Sequence, residues 1–285
     1  MRRWAPWALV SLVALAVLAT HFLAVERCPL PVYGTHGAEY LEHQARDAFA
    51  RKLADEASAL VLLKFPHHLT ELDDGYPPLL HLMGVLWGRV VGEGIPAAIH
   101  LNIFFLLVLG IATAEVTRRL GRVFGGPPSG RWAVALAVIA VWLLPAVFGT
   151  ARRYYYDLPM ATWCTVALAG LLGSRRSAPA LAFAVLGSAA ALLTKWTAGF
   201  YLFPMWVCAL VLGMRHPPRR NTVIRLGAAG VLVVVLCWPC LRDSTTVHGM
   251  LSPIPAAVGV VWERPRVSHG NSFDSAFNTN DHIQP

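Results

Sequence analysis

Carboxylates, paired arginines and a lone lysine stand beside apolar runs at three places in this sequence. In 71-ELDDGYPPLL-80, Asp73 and Asp74 come just ahead of Tyr76 and a Pro-Pro pair. Neighbouring carboxylates can hold one raised pKa and act as a base, or bind a divalent metal; a solvated Asp-Gly turn is the plain alternative. The second place is 150-TARRYYYDLP-159, where Arg152 and Arg153 precede three tyrosines and Asp157. A guanidinium fork matches phosphate oxygens, whereas tyrosines at the end of an apolar run also serve as plain interfacial anchors. The third is 191-ALLTKWTAGF-200, whose Lys195 is one of only three lysines in the chain and can snorkel to a phosphate. Histidines add less. His36, His67 and His68 can ligate a metal together with an aspartate, yet no H-x-x-x-H spacing supports it. His21, His81, His100 and Asn102 lie in apolar runs and read as packed or hydrogen-bonded core residues. Acidic groups together with Arg and Lys at the edge of apolar segments describe a site for an anionic lipid with an acid-base partner.

The elements that position these groups are membrane helices. Of 285 residues 56% are hydrophobic and 14% charged, with a mean hydropathy of +0.52. A soluble domain carries roughly 25% charged residues. The net charge of +8 comes from short basic clusters between apolar runs, a pattern of membrane orientation rather than of a nucleic-acid groove. Arginine supplies 21 of the 24 basic residues, which points to a GC-rich bacterial genome and so to a bacterial inner membrane. The five cysteines fit no metal spacing. Cys164 and Cys208 read as packing residues. Cys28, Cys237 and Cys240 fall near one membrane face, either as free thiols or with a disulfide among them.

Runs long enough to cross, roughly 17–25 residues each, lie at about 5–25, 96–117, 131–149, 156–174, 178–194, 197–214 and 222–240. The first is too long for a signal core and reads as a retained helix. Segment 77–92 is an eighth candidate that loop charge removes. Without it, Arg2/Arg3, 118-RRLGR-122 with Arg131, Arg175/Arg176 and 215-RHPPRR-220 all fall on the cytoplasmic side. The expectation is therefore an all-α polytopic protein of about seven transmembrane helices, with its N-terminus cytoplasmic and its C-terminus outside. Residues 26–95 become one outer loop, and nine of the sixteen acidic residues lie between positions 26 and 76. Within it, 38-AEYLEHQARDAFARKLADEASAL-60 repeats apolar residues at helical spacing, as an amphipathic helix on the membrane surface does. Segment 77–92 is a second juxtamembrane helix, opened by Pro77-Pro78. Residues 1–240 form the transmembrane module, and 241–285 read as a polar outer tail.

Three stretches resemble the GT-C membrane glycosyltransferases, the group of protein O-mannosyltransferases and aminoarabinose transferases. They are 74-DGYPPLLHLM-83, 153-RYYYDLPMA-161 and 192-LLTKWTAGFYLFP-204, in order along residues 5–240. The resemblance implies inverting transfer of a sugar from a polyprenyl-phosphate donor to a lipid, glycan or protein acceptor at the outer face. A loop carboxylate, Asp74 or else Glu39 or Asp73, would be the base. Lys195, with Arg152 and Arg153, would meet the donor phosphate; Asp157 and Tyr76 would occupy the helix junctions. In 34-GTHGAEYLEHQ-44, His36 stands where the family's outer loop opens with an aspartate, and Glu39 is the nearest carboxylate.

Other classes remain open. A non-catalytic envelope-assembly subunit would keep the fold without the base, in keeping with His36. An anionic-lipid transporter or flippase would carry polar residues deep in its spans, and few are seen. A retinal-type receptor would need a mid-span lysine with a carboxylate partner, whereas Lys195 lies at a helix end.

Overall fold

The computed structural model describes residues 4–27, 77, 79–92, 95–123, 130–152, 156–174, 177–214 and 219–241. Glu39, Asp73, Asp74, Tyr76, Arg153, His36, His67, His68, the 38–60 stretch and the tail beyond 241 lie outside the described residues.

All regular structure among the described residues is α-helical. In chain order the helices are α1 (Ala5–Arg27), α2 (Leu79–Val91), α3 (Ile95–Val123), α4 (Arg131–Leu143), α5 (Pro145–Thr150), α6 (Asp157–Gly173), α7 (Ala178–Leu192), α8 (Ala198–Met214) and α9 (Arg219–Leu241). Three stretches within them, Ala5–Val25, Ile99–Gly121 and Arg220–Trp238, are long and apolar enough to cross a membrane; α4, α6, α7 and α8 are shorter apolar helices. Helices thus form at each of the seven expected runs. One expected span is broken. The 131–149 run splits into α4 and α5 because Pro145 has no N–H to donate and forces Leu144 out of helical geometry, to φ −58° and ψ 126°. Segment 77–92 becomes α2, starting at Leu79 immediately after the prolines and ending at Gly92, whose φ of 109° suits glycine at a helix exit.

Helix α3 is the central post. Its buried face, Ile99, Leu101, Phe105, Leu106 and Leu109, packs with Val138 and Trp142 of α4 and Leu158 of α6 in one apolar cluster. The indole Nε1 of Trp142 donates to the Leu106 carbonyl at 2.9 Å, and Thr162 Oγ1 of α6 reaches the Phe105 carbonyl at 3.3 Å. Helices α6 and α7 pack closest of all, because Gly170 and Gly187 leave their backbones free to touch. Outside this core α9 lies against α7 and α8, and α1 against α4 and α3. Large apolar side chains such as Leu12, Leu15, Phe203 and Val231 face outward. An outward apolar face is what a helix in hydrocarbon presents, since lipid replaces the core as its partner.

The polar groups collect at two ends. Glu115 of α3 pairs with Arg118 and Arg119, and Arg119 also donates to the Ala169 carbonyl of α6 at 2.9 Å. Asp157 opens the same α6 helix, which at 17 residues is about 25 Å long. One end of the bundle is therefore marked by Glu115 and its arginines, the other by Asp157. Helix α7 is capped at the Glu115 end by Ser177, whose Oγ accepts from Ala180 N–H at 3.4 Å. Ser177→Ala is expected to lower stability by about 1 kcal/mol, read as a lower thermal unfolding midpoint in detergent.

Candidate functional site

At the Asp157 end, three chain segments that are distant in sequence meet. Helix α7 finishes at Leu192, and residues 193–197 turn the chain into α8. Lys195 N–H still bonds the Ala191 carbonyl at 2.9 Å, while the Lys195 carbonyl accepts from Ala198 N–H at 3.0 Å. Lys195 is thus held at both peptide groups, between the last turn of one helix and the first turn of the next. Thr194 beside it is fully buried and anchors its hydroxyl on the Ala190 carbonyl at 2.7 Å.

From this fixed backbone the Lys195 side chain reaches Asp157, with Nζ 2.6 Å from Oδ1. Asp157 is the first residue of α6, where the partial positive charge of the helix N-terminus favours a carboxylate. The ammonium is 18% exposed and the carboxylate 42%, so the pair is sheltered on the lysine side and open on the other. Lys195 thus has a carboxylate partner 38 residues away, brought in by the α6–α7 hairpin. A second contact ties the same elements, as Thr197 Oγ1 lies 3.5 Å from Met160 Sδ.

The third segment is the start of α2. Leu79 N–H donates to the Leu193 carbonyl at 2.9 Å. The first N–H groups and last carbonyls of helices have no partner within the helix. Here an unpaired donor of α2 satisfies an unpaired acceptor at the end of α7. Pro77 and Leu80 are buried at this junction. The Pro-Pro element is therefore joined to a residue two positions before Lys195, and Asp73 and Asp74 precede Leu79 by six and five positions.

No protein-family model, curated protein or solved structure matches this chain.

The other expected groups distribute as follows. Arg152 sits in the turn after α5, its guanidinium 4.0 Å above the Phe148 ring. That turn is held by Asn102 of α3, a buried side chain whose Nδ2 donates to the Ala151 carbonyl at 3.0 Å. The buried ring of Tyr156 packs in the α3 cluster next to Asp157. His21 and His100 are buried as expected, and they face one another, with His100 Nδ1 3.3 Å from His21 Nε2. Among the described residues no group of three or more His, Cys, Asp or Glu could hold a metal. Cys164 and Cys237 are buried free thiols; Cys208, expected in the packing, is exposed on α8.

Two relationships were not legible from residue patterns. The Leu79–Leu193 bond involves only backbone atoms, and the His21–His100 contact joins residues 79 positions apart. Asn102 carried a fainter signal, as a strong hydrogen-bonding group inside an apolar run. Asn102→Ala is expected to cost about 1–2 kcal/mol, since it strips the donor from a buried carbonyl. It is also expected to raise protease sensitivity at 152–156 in limited digestion of the purified protein.

Proposed function

We propose that this chain is a membrane-embedded glycosyltransferase of the GT-C type, which moves a sugar from a polyprenyl-phosphate donor to an acceptor at the outer face. The observation that carries the reading is the junction of α2, α6 and the α7–α8 turn. The three stretches that resemble the GT-C enzymes, around Pro77, Asp157 and Lys195, adjoin one another through the Leu79–Leu193 bond and the Lys195–Asp157 pair.

In this reading α1, α3, α4 with α5, α6, α7, α8 and α9 make seven crossings. The Glu115 end with its arginines faces the cytoplasm and the Asp157 end faces out. Proline breaks and lengths near 25 Å are tolerated where neighbouring helices cover the freed backbone groups. The donor's phosphate then lies at headgroup level beside Lys195, where Asp157 orients the ammonium without enclosing it.

The chemistry follows from charge. An acceptor hydroxyl loses its proton to a loop carboxylate, Asp74 first and Glu39 in its place if Asp74 stands too far. The resulting oxygen attacks the anomeric carbon from the face opposite the phosphate, the bond from that carbon to the phosphate oxygen breaks, and configuration inverts. Negative charge grows on the departing polyprenyl phosphate, and Lys195 stabilises it there. Arg153 is assigned to the same phosphate.

The test is a panel of polyprenyl-phosphate sugars, labelled in the sugar, offered to the purified protein in liposomes with cell-envelope lipids as acceptors. Transfer of label from at least one donor, with inverted anomeric configuration in the product, is the expected outcome. A panel in which every donor survives intact would favour the non-catalytic subunit, the reading that the His36 position supports.

A further inference from the structure

Two buried histidines that the proposed transfer does not use meet between α1 and α3. His21 is 1% exposed and His100 6%, and His100 Nδ1 stands 3.3 Å from His21 Nε2. Their ring centroids are 5.4 Å apart, and the Phe22 ring lies 4.6 Å from that of His100. One helical turn to either side of His21, Val17 and Val25 are buried in the apolar cluster that holds Ile99 and Leu101 of α3. The pair is a titratable contact set in an apolar seam.

A contact between two imidazole nitrogens needs one to donate and the other to accept, so it is complete with both rings neutral, whichever ring donates. A proton taken up by His21 changes that. Both its nitrogens then carry N–H: Nε2 stays in the contact only as the donor, and Nδ1 has no hydrogen-bond partner among the described residues. A second proton on His100 sets two donors and two positive charges against each other across the 3.3 Å contact. A buried seam disfavours such charges, which water would hydrate once the helices part. The described charges around the pair do not offset them. Helix α4, on which α1 also packs, carries Arg131 alone, at its first position. Glu115 and its arginines are at the far end of α3, and Asp157 of α6 is taken by Lys195. Tyr156, in the same apolar cluster, is neutral below about pH 10. Arg152 follows Ala151, whose carbonyl is held by Asn102, two positions along α3 from His100. A cation at that end opposes a charged histidine. The side chains of Glu26, Arg27, His81 and Arg89 lie outside the described residues.

We propose that His21 and His100 form a pH-sensitive latch between α1 and α3. Neutral, the pair fastens the C-terminal end of α1 to α3. When acidification charges it, that end of α1 comes away, while the earlier turns of α1 stay against α4. The latch goes beyond the transferase reading and does not rest on it, since its residues are not those of the Lys195–Asp157 junction.

The test uses the full chain in lipid nanodiscs between about pH 8 and about pH 4, which spans the ordinary histidine range and its acid side. Amide hydrogen exchange, read by mass spectrometry and corrected for the chemical effect of acidity, follows peptides covering the last turns of α1. Nitrogen-15 NMR of histidine-labelled protein follows the charge of the two rings in the same samples. Exchange at the end of α1 is expected to rise about tenfold or more on acidification, at the pH where the His21 and His100 signals report protonation. The first turns of α1 are expected to show no such rise. A double variant, His21→Gln with His100→Gln, keeps a neutral hydrogen-bonding pair at every pH and is expected to abolish the rise. Should that variant fail to fold, the coincidence of exchange and protonation in the wild type decides alone. Corrected exchange that stays constant over the range, an equal rise in the double variant, or histidines that become charged with no change in exchange overturns the proposal. No turnover is measured, so failure of the latch and failure of the transferase reading are told apart.

Discussion

Lys195→Ala is expected to lower sugar transfer by about 100-fold or more while leaving the fold nearly as stable as before. The two effects separate because, in the proposed transfer, the ammonium serves the departing phosphate as well as Asp157, and the two make unequal demands on it. Removing a positive charge aimed at a leaving group typically costs about 10²–10³ in rate, as it does for other preorganised charge stabilisers. Removing it from Asp157 costs far less. The carboxylate is 42% exposed, so water can take over its solvation and the loss stays near the ~1 kcal/mol of a surface pair. Lys195→Arg keeps the charge but replaces a compact ammonium with a planar fork, and is expected to fall between the two. Asp157→Asn frees the ammonium to swing, with an expected loss of about tenfold in kcat/KM. Steady-state transfer rates and thermal unfolding of the same preparations check both halves. A Lys195→Ala protein that unfolds outright would mean that the pair is structural.

The largest stability effect is expected where α6 and α7 touch. A Cβ on Gly170 would run into the Ala184 backbone nitrogen and sit 2.7 Å from the Ala180 carbonyl oxygen. A Cβ on Gly187 would sit 2.7 Å from the Ala167 nitrogen. Backbone atoms cannot rotate away, so the helices must separate, and the α6–α7 hairpin that carries Asp157 to Lys195 separates with them. Alanine is intrinsically the better helix former by about 1 kcal/mol. Overpacking opposes that gain by about 1–3 kcal/mol, and by more where neither side can yield. Gly170→Ala is thus expected to lower the unfolding midpoint, and Gly170→Val to leave little folded protein after extraction. Gly227 on α9 provides the contrast, because nothing among the described residues lies within 4 Å of its added Cβ. Gly227→Ala is expected to be neutral or slightly stabilising in the same measurement.

How far these arrangements were legible in the residues depends on the kind of interaction. Hydropathy located α1, α3 and α6–α9 within a few residues, because a run of apolar side chains specifies a helix in lipid without reference to any partner. The Pro77-Pro78 pair marked the start of α2, and Pro145 carried the break between α4 and α5, which a count of apolar residues alone passes over. Asp157 and Lys195 were each marked as charges next to apolar runs. Their pairing was not marked, since it depends on the hairpin register that Gly170 and Gly187 permit. The Leu79–Leu193 bond leaves no trace in residue type at all. Arg152 was read together with Lys195 as one phosphate-binding cluster; its stacking on the Phe148 ring is a contact that linear spacing has no means to express.

The central claim is that Asp74, carried by the segment that ends at Leu79, and Lys195 act on one lipid-linked sugar. The direct measurement is the rate at which polyprenyl phosphate is released from a labelled polyprenyl-phosphate sugar by the wild type, Asp74→Asn and Lys195→Ala in matched liposomes. Release by the wild type and its loss by about 100-fold in each variant is the expected result. Release at the wild-type rate by both variants would contradict the assignment.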